Sequence, residues 1–375
     1  MENTCRILHV LGGMNRGGVE TWLMHVLRHI DRERFRFDFL VHTTKPCAYD
    51  DEIRAFGSKI FSCMSPSRPY RYARNFGHIL MKHGPYDVVH SHVHHFSGYV
   101  LRQAQLANIP IRIAHSHNDI NFSNKKFLRK GYSLVMKELI KKNATLGLAC
   151  SSRAAVSLFG RYWENDLRWK VHFCGVDLSP YNHQVERDVV LSEFNIPSNA
   201  FVVGHVGRFA NQKNHSFLLD IAKEVVHRHP NVFFLLVGEG SLLDNMKRKA
   251  KQIGIYDNVI FTGSRPDVPR LMLGAMDIFL FPSLYEGLGL VLIEAQASGL
   301  PCVFSDVVAQ EAEVVPELIS RVSLQDSAKV WAQKILVLEK QQHLAQSVAL
   351  CNVAKSPFDI RESNEKLCLF YAKKS

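Results

Sequence analysis

The stretch Ile278-Phe279-Leu280-Phe281-Pro282-Ser283-Leu284-Tyr285-Glu286-Gly287-Leu288-Gly289-Leu290-Val291-Leu292-Ile293-Glu294-Ala295-Gln296-Ala297 reads as strand, turn and helix in succession. Ile278 to Pro282 is a short, continuous apolar run, as expected of a strand whose sheet is covered on both faces. Gly287 and Gly289 mark the turn, and Leu290 to Ala297 holds no further glycine or proline. A strand feeding through a glycine turn into a helix is half of a βαβ unit, and the rest of the chain repeats the pattern.

In the same half, Val202–Val206, Val232–Val237, Val259–Thr262 and Pro301–Phe304 read as strands, with helices over Phe217–Arg228, Leu242–Gln252 and Val268–Met272. The first half has strand candidates at Ile7–Leu11, Phe37–Val41, Asp87–His90, Ile111–Ala114, Ala144–Ala149 and Val171–Cys174. Amphipathic stretches separate them at Glu20–Ile30, Asp50–Phe56, Ser97–Asn108 and Phe127–Lys142. This alternation predicts an α/β protein of two doubly wound parallel-sheet domains, with ligands in a cleft beyond the carboxyl ends of the strands. The turn-rich Gly175–Tyr181 and the polar residues to Asp188 form the linker, which sets domains at 1–176 and 177–356. Pro357 opens a closing helix over Ile360–Tyr371 within residues 357–375.

Bulk properties agree. A chain of 375 residues with 46% hydrophobic content has material for two cores, and its composition excludes disordered and fibrous classes. The amino terminus lacks the features of a secretion signal, and no apolar run is long enough to span a bilayer. Eight scattered cysteines without a C-x-x-C pair fit a reduced, cytoplasmic setting. A formal charge of +11 draws anionic partners of any kind, and by itself selects none.

Two loops carry the chemistry. In the first, Glu286 and Glu294 bracket the glycine turn. Gly287 and Gly289 let backbone approach a ligand, the first-turn N–H groups around Leu288 and Leu290 favour anionic oxygen, and Glu294 can accept hydrogen bonds from a ribose diol. Glu286 is placed to hold sugar hydroxyls. Either glutamate alone would read as an ordinary surface carboxylate; strand, glycines, spacing and helix together do not. In the second, Gly204-His205-Val206-Gly207-Arg208-Phe209-Ala210-Asn211-Gln212-Lys213-Asn214, at the carboxyl end of a strand, Arg208 and Lys213 suit a departing pyrophosphate. No Asp-x-Asp metal motif occurs, so side-chain cations are expected to replace a metal, and no cofactor is expected.

These loops, with Gly17-Gly18-Val19-Glu20-Thr21 and Cys174-Gly175-Val176-Asp177, resemble the retaining glycosyltransferases of family 4, which have the GT-B fold. The resemblance spans nearly the whole chain. His9–Gly18, Pro46–Asp50, His115–Asn118 and Glu294–Cys302 are similar to the EpsF-type enzymes of bacterial exopolysaccharide synthesis. The resemblance implies transfer of a hexose from a UDP- or GDP-sugar to a lipid-linked or saccharide acceptor. It assigns Arg208 and Lys213 to pyrophosphate, Glu286 to the sugar and Glu294 to ribose, with Gly17, Gly18 and Gly207 also near the donor. His117 matches the family's sugar-contacting histidine, with His115 as the alternative, and the helix after Pro357 is implied to pack on the first domain. Cys174 departs from the asparagine that many relatives carry before Gly-Val-Asp.

The run His90-Ser91-His92-Val93-His94-His95 has alternate histidines but no carboxylate or cysteine at ligand spacing. Two later histidines would have to converge on it to make a metal site. It is therefore expected to be an acceptor-side wall, with His92, His115 and Asn118 facing the acceptor and no metal. The cations of Lys125–Lys142, interleaved with Phe127, Leu128, Leu134, Val135, Met136, Leu139 and Ile140, fit either an ordinary surface helix or a helix on an anionic membrane, with Arg68, Arg71 and Arg74 extending the patch. Alternatives are a nucleotide-sugar 2-epimerase of the same fold and a basic nucleic-acid-binding protein, though nucleic acid is not the expected partner. A nicotinamide oxidoreductase does not fit, because Gly12–Gly17 lacks the G-x-G-x-x-G spacing.

Overall fold

The computed structural model describes residues 4–63, 67–119, 127–341 and 344–372, except the side chains of Phe127 and Leu128. The chain forms two compact units, one running to Gly175 and resuming at Ile360, the other spanning Val176–Asp359.

The first unit is built on seven strands: β1 (Cys5–Leu11), β2 (Phe35–Val41), β3 (Ile60–Ser62), β4 (Val88–Ser91), β5 (Ile111–Ser116), β6 (Leu146–Ala149) and β7 (Trp169–Val171). Their order is β3-β2-β1-β4-β5-β6-β7, and every pairing is parallel. Its helices are α1 (Gly18–His29), α2 (Asp50–Ala55), α3 (Pro69–His83), α4 (Ser97–Leu106), α5 (Phe127–Asn143) and α6 (Ser152–Phe159). Side chains alternate along each strand, so Leu8, Val10, Val89 and Ala114 pack one way, against Tyr72 and Phe76 of α3 and Val100 and Leu101 of α4. His9, His90 and His115 face the other way, toward Trp22 of α1. Glu20 in the first turn of α1 and Arg28 and His29 in its last complement the helix dipole.

The second unit contains α7 (Arg187–Ser192), β8 (Phe201–Val206), α8 (His215–Val226), β9 (Val232–Val237), α9 (Leu243–Gln252), β10 (Val259–Gly263), α10 (Val268–Gly274), β11 (Ile278–Phe281), α11 (Leu290–Ala297), β12 (Cys302–Ser305), β13 (Ile319–Val322), α12 (Ala328–Leu338) and α13 (Gln346–Ala354). The six parallel strands run β10-β9-β8-β11-β12-β13. Val203, Phe234, Leu236, Ile278, Leu280 and Val303 form the core with Leu218, Leu219 and Ile221 of α8 and Trp331 and Ile335 of α12. The last helix, α14 (Ile360–Tyr371), belongs to the first unit, where Tyr371 is buried against His90 and Phe37.

Some elements differ from the sequence reading. The strand expected at Val171–Cys174 lies at Trp169–Val171, because pairing with Gly147–Ala149 of β6 fixes its register. Helix α7 occupies part of the expected linker, and β3, α3, α6, β13, α12 and α13 were not in the reading. Strands β3, β7 and β13 are edge strands of three or four residues, too short for an alternation to register.

Candidate active site

In the second unit, two loops leave the central strands β8 and β11 side by side and are tied together. Gln212 N–H groups donate to the Tyr285 carbonyl (3.0 Å) and to Glu286 Oε2 (3.2 Å); Leu284 N donates to the Gln212 carbonyl (2.8 Å), and Asn214 Nδ2 to the Pro282 carbonyl (3.1 Å). The tie brings Lys213 Nζ to 2.7 Å from Glu286 Oε1, with Nζ 4.5 Å from the centre of the Phe281 ring. The Glu286 side chain is only 7% exposed and that of Lys213 16%, so the two charges compensate each other at a poorly hydrated spot. A polar, anionic ligand entering here meets a cation and a hydroxyl acceptor already aligned.

Beyond Glu286 the chain makes its turn. Gly289 adopts φ +88° as the residue capping α11, and an added Cβ would lie 3.2 Å from Phe281. Leu288 is buried and Leu290 half-buried. In the first turn of α11 Leu292 N donates to the Gly289 carbonyl (2.8 Å), while helix geometry leaves the N–H groups before it without a partner in their own helix, which gives this end a partial positive charge. Glu294, half-buried farther along α11, has its carboxyl pushed up from 4.5 to about 7 by burial. Its charge adds to burial in raising the nearby Tyr181 hydroxyl.

Arg208 is exposed and makes no side-chain hydrogen bond or ion pair among the described residues. The structure thus brings Lys213 and Glu286 into contact, while Arg208 and Glu294 lie on the same two segments without touching that pair. Two histidines to which the sequence reading gave no role support the loop. His205 Nδ1–H donates to the Leu280 carbonyl (2.8 Å), and its Nε2 would lie 3.1 Å from a Cβ on Gly207. His215 stacks on Phe209 at 3.9 Å. Burial lowers His205 to about 4 and His215 to about 2, so both stay neutral beside Lys213. The signal available for His205 was a histidine inside the apolar run Val202–Val206.

In the first unit Gly17 and Gly18 open α1, with Thr21 N donating to the Gly17 carbonyl (2.8 Å). Below α1, the histidines of β1, β4 and β5 converge. His9 Nδ1 lies 3.0 Å from His92 Nε2, His92 Nδ1 lies 2.9 Å from His117 Nε2, and His117 Nδ1 is 3.8 Å from Cys174 Sγ. His90 bridges the Tyr371 hydroxyl (2.7 Å) and His115 Nδ1 (3.1 Å). The convergence that the His90–His95 run required of later histidines therefore occurs, through His115 and His117. Desolvation lowers His90, His92, His115 and His117 well below 6.5, leaving neutral imidazoles. Asn118 follows, half-buried.

Helix α5 carries Tyr132, Leu134 and Val135 exposed among Arg129, Lys130, Lys141 and Lys142, and Arg68, Arg71 and Arg74 are exposed on and beside α3. Lys125 and Lys126, and the side chains of Phe127 and Leu128, lie outside the described residues. No helix among the described residues is long and apolar enough to cross a membrane.

Comparison with known proteins identifies the family. Residues 16–180 match the family described as Glycosyltransferase Family 4, and residues 186–349 match Glycosyl transferases group 1. The putative glycosyltransferase EpsF of Bacillus subtilis (strain 168) is 38% identical over 336 residues, 88% of this chain and 86% of that protein. The UDP-Gal:alpha-D-GlcNAc-diphosphoundecaprenol alpha-1,3-galactosyltransferase of Escherichia coli is 29% identical over 61% of this chain and 60% of its own length. The crystal structure of HepE from Anabaena, in complex with UDP and glucose, superposes with a TM-score of 0.80 at 19% identity, covering 97% of this chain and 98% of that one. Fold and relatives define a glycosyltransferase of GT-B architecture. The chain belongs to the family 4 glycosyltransferases and is similar to the EpsF-type members.

Proposed function

We propose that the protein transfers a hexose from a UDP-sugar to a saccharide carried on a lipid diphosphate during synthesis of a bacterial cell-surface polysaccharide, with retention at the anomeric carbon and without a metal in the transfer step. The observation that carries the reading is the Lys213–Glu286 contact, formed by loops at the ends of two neighbouring parallel strands. The UDP and glucose in HepE and the lipid-diphosphate acceptor named for the E. coli relative support the choice of substrates. Family membership supports retention.

In this mechanism Glu294 accepts hydrogen bonds from the ribose, the α11 amino terminus and Lys213 face the diphosphate, Arg208 adds a second cation, Glu286 holds hydroxyls of the sugar, and family membership supports His117 as a further contact to the sugar. The bond from the anomeric carbon to the diphosphate oxygen breaks with its electron pair leaving on that oxygen. The acceptor oxygen forms the new bond on the same face, and its proton passes to the departing phosphate. Lys213 and Arg208 stabilise the charge that develops there. The exposed Leu134 and Val135 among the cations of α5 suit peripheral docking on the anionic inner face of the cell membrane, where a lipid-linked acceptor resides.

Release of nucleoside diphosphate from UDP- and GDP-sugars with acceptor lipid tests the reading, with donor alone as the control for epimerisation. Turnover should fall about 10²–10³-fold in Lys213→Ala and be abolished in Glu286→Ala. Undiminished turnover in both variants refutes the site.

A further inference from the structure

The histidine cluster of the first unit exceeds what one sugar contact requires. Six imidazoles, His9, His90, His92, His115, His117 and His172, meet in one region under Trp22, and among the described residues none of them hydrogen-bonds a carboxylate. Three of them, His92, His115 and His117, can each present a nitrogen within 4.8 Å of the other two. The other nitrogen of each is already occupied. His92 Nε2 meets His9 Nδ1 at 3.0 Å, His115 Nδ1 meets His90 Nε2 at 3.1 Å, and His117 Nδ1 meets Cys174 Sγ at 3.8 Å. That leaves His92 Nδ1, His115 Nε2 and His117 Nε2. Metal-ligating histidines show this pattern, with the second ring nitrogen held by a neighbour that fixes tautomer and orientation.

A separate observation points to a missing partner: His115 Nε2 is fully buried and bonds to nothing. A His115 protonated at Nδ1, donating to His90 Nε2, presents that Nε2 as a lone pair. An unpaired lone pair in an apolar interior is unfavourable, and a cation relieves it. His92 and His117 are only partly buried, so the site has an entrance. Three neutral nitrogens with no oxygen ligand suit a borderline first-row dication, Zn²⁺ above all, and not Mg²⁺ or Ca²⁺.

We propose that His92, His115 and His117 form a binding site for Zn²⁺ or a similar transition-metal dication, distinct from the donor chemistry of the second unit. The ion would replace the His92–His117 hydrogen bond, with His92 turning its proton to Nε2 against His9 and His117 to Nδ1 against Cys174. Resting on the proposed role of His117 as a sugar contact, occupancy would withdraw that ring from the donor and shut off transfer, so the site is an inhibitory one.

The test uses the full chain with Co²⁺ as the probe, read by the intense visible absorption of a low-coordinate site, with Zn²⁺ as competitor. The wild type should show one equivalent of tightly bound Co²⁺, displaced by Zn²⁺. His117→Gln and His115→Gln should bind it roughly a hundredfold or more weakly, since even partners behind the ligands cost 10–100-fold. Circular dichroism reports whether each variant folds, and His117→Gln, at the partly exposed end, is the safer of the two. A wild type without the band, or folded variants that keep it, overturns the site. This readout needs neither donor nor acceptor, so failure of the transferase assay leaves it untouched. One equivalent of Zn²⁺ should stop turnover reversibly on chelation; full turnover with metal bound overturns the inhibitory role.

Discussion

Acidification should weaken donor binding through Glu294, and the size of the effect follows from its surroundings. Burial raises this carboxyl from 4.5 to about 7. If the ionised form is the one that accepts hydrogen bonds from the ribose diol, affinity rises with pH up to about 7 and is level above it. At about pH 6 roughly a tenth of the group is ionised, so affinity should be about tenfold below its plateau, or about 1.4 kcal/mol. Titration calorimetry with an intact UDP-sugar is the assay, because its diphosphate diester does not itself titrate in this range. Glu294→Gln should bind more weakly and without the slope. The same shift acts on stability. Between pH 4.5 and about 7 the folded protein holds a proton that the unfolded chain has released, so stability is fullest below 4.5 and declines as pH rises to about 7. The decline amounts to at most about 3 kcal/mol, at about 1.4 kcal/mol for each pH step. A wild type whose UDP-sugar affinity is flat between about pH 5.5 and 8, or a Gln variant that keeps the slope, refutes the assignment.

Other outcomes follow from the same geometry. Lys213→Ala leaves the Glu286 carboxylate without its cation at a site 7% exposed, and should destabilise by about 3 kcal/mol in urea unfolding; adding Glu286→Gln should recover part of this, and strictly additive losses would contradict a coupled pair. Gly289→Ala forces a side chain into φ +88° and against Phe281, and should cost about 1–2 kcal/mol, a fall of roughly 3–6 °C in Tm; an unchanged Tm contradicts the turn geometry. Replacing exposed Leu134 and Val135 by Asp should cut cosedimentation with anionic vesicles tenfold or more, and equal retention would reduce α5 to an ordinary surface helix.

Local pattern already carried much of the architecture. The run Ile278–Ala297 shows its strand, its turn and the helix Leu290–Ala297 because neighbouring residues decide each of them: apolar continuity, two glycines, then an unbroken helical stretch. Glu286, Lys213 and the alternate histidines His90, His92, His115 and His117 stand out for the same reason, since period two on a strand and a glycine turn after one are readable within ten residues. Partnership is not. Lys213 and Glu286 are 73 positions apart and meet because β8 and β11 are neighbours in the sheet, an order that no local spacing encodes. Likewise, adjacency of β1, β4 and β5, with α1 and α14 above them, turns scattered histidines into one desolvated cluster and leaves His115 Nε2 with no partner. The sequence by itself determined the strands and helices with a clear local pattern and which side chains could do chemistry, because those depend on contacts along the chain, whereas the short edge strands β3 and β13 escaped it. Which of those side chains touch, and the displaced acidity of Glu294, depend on packing between distant segments, and only the tertiary structure decided them.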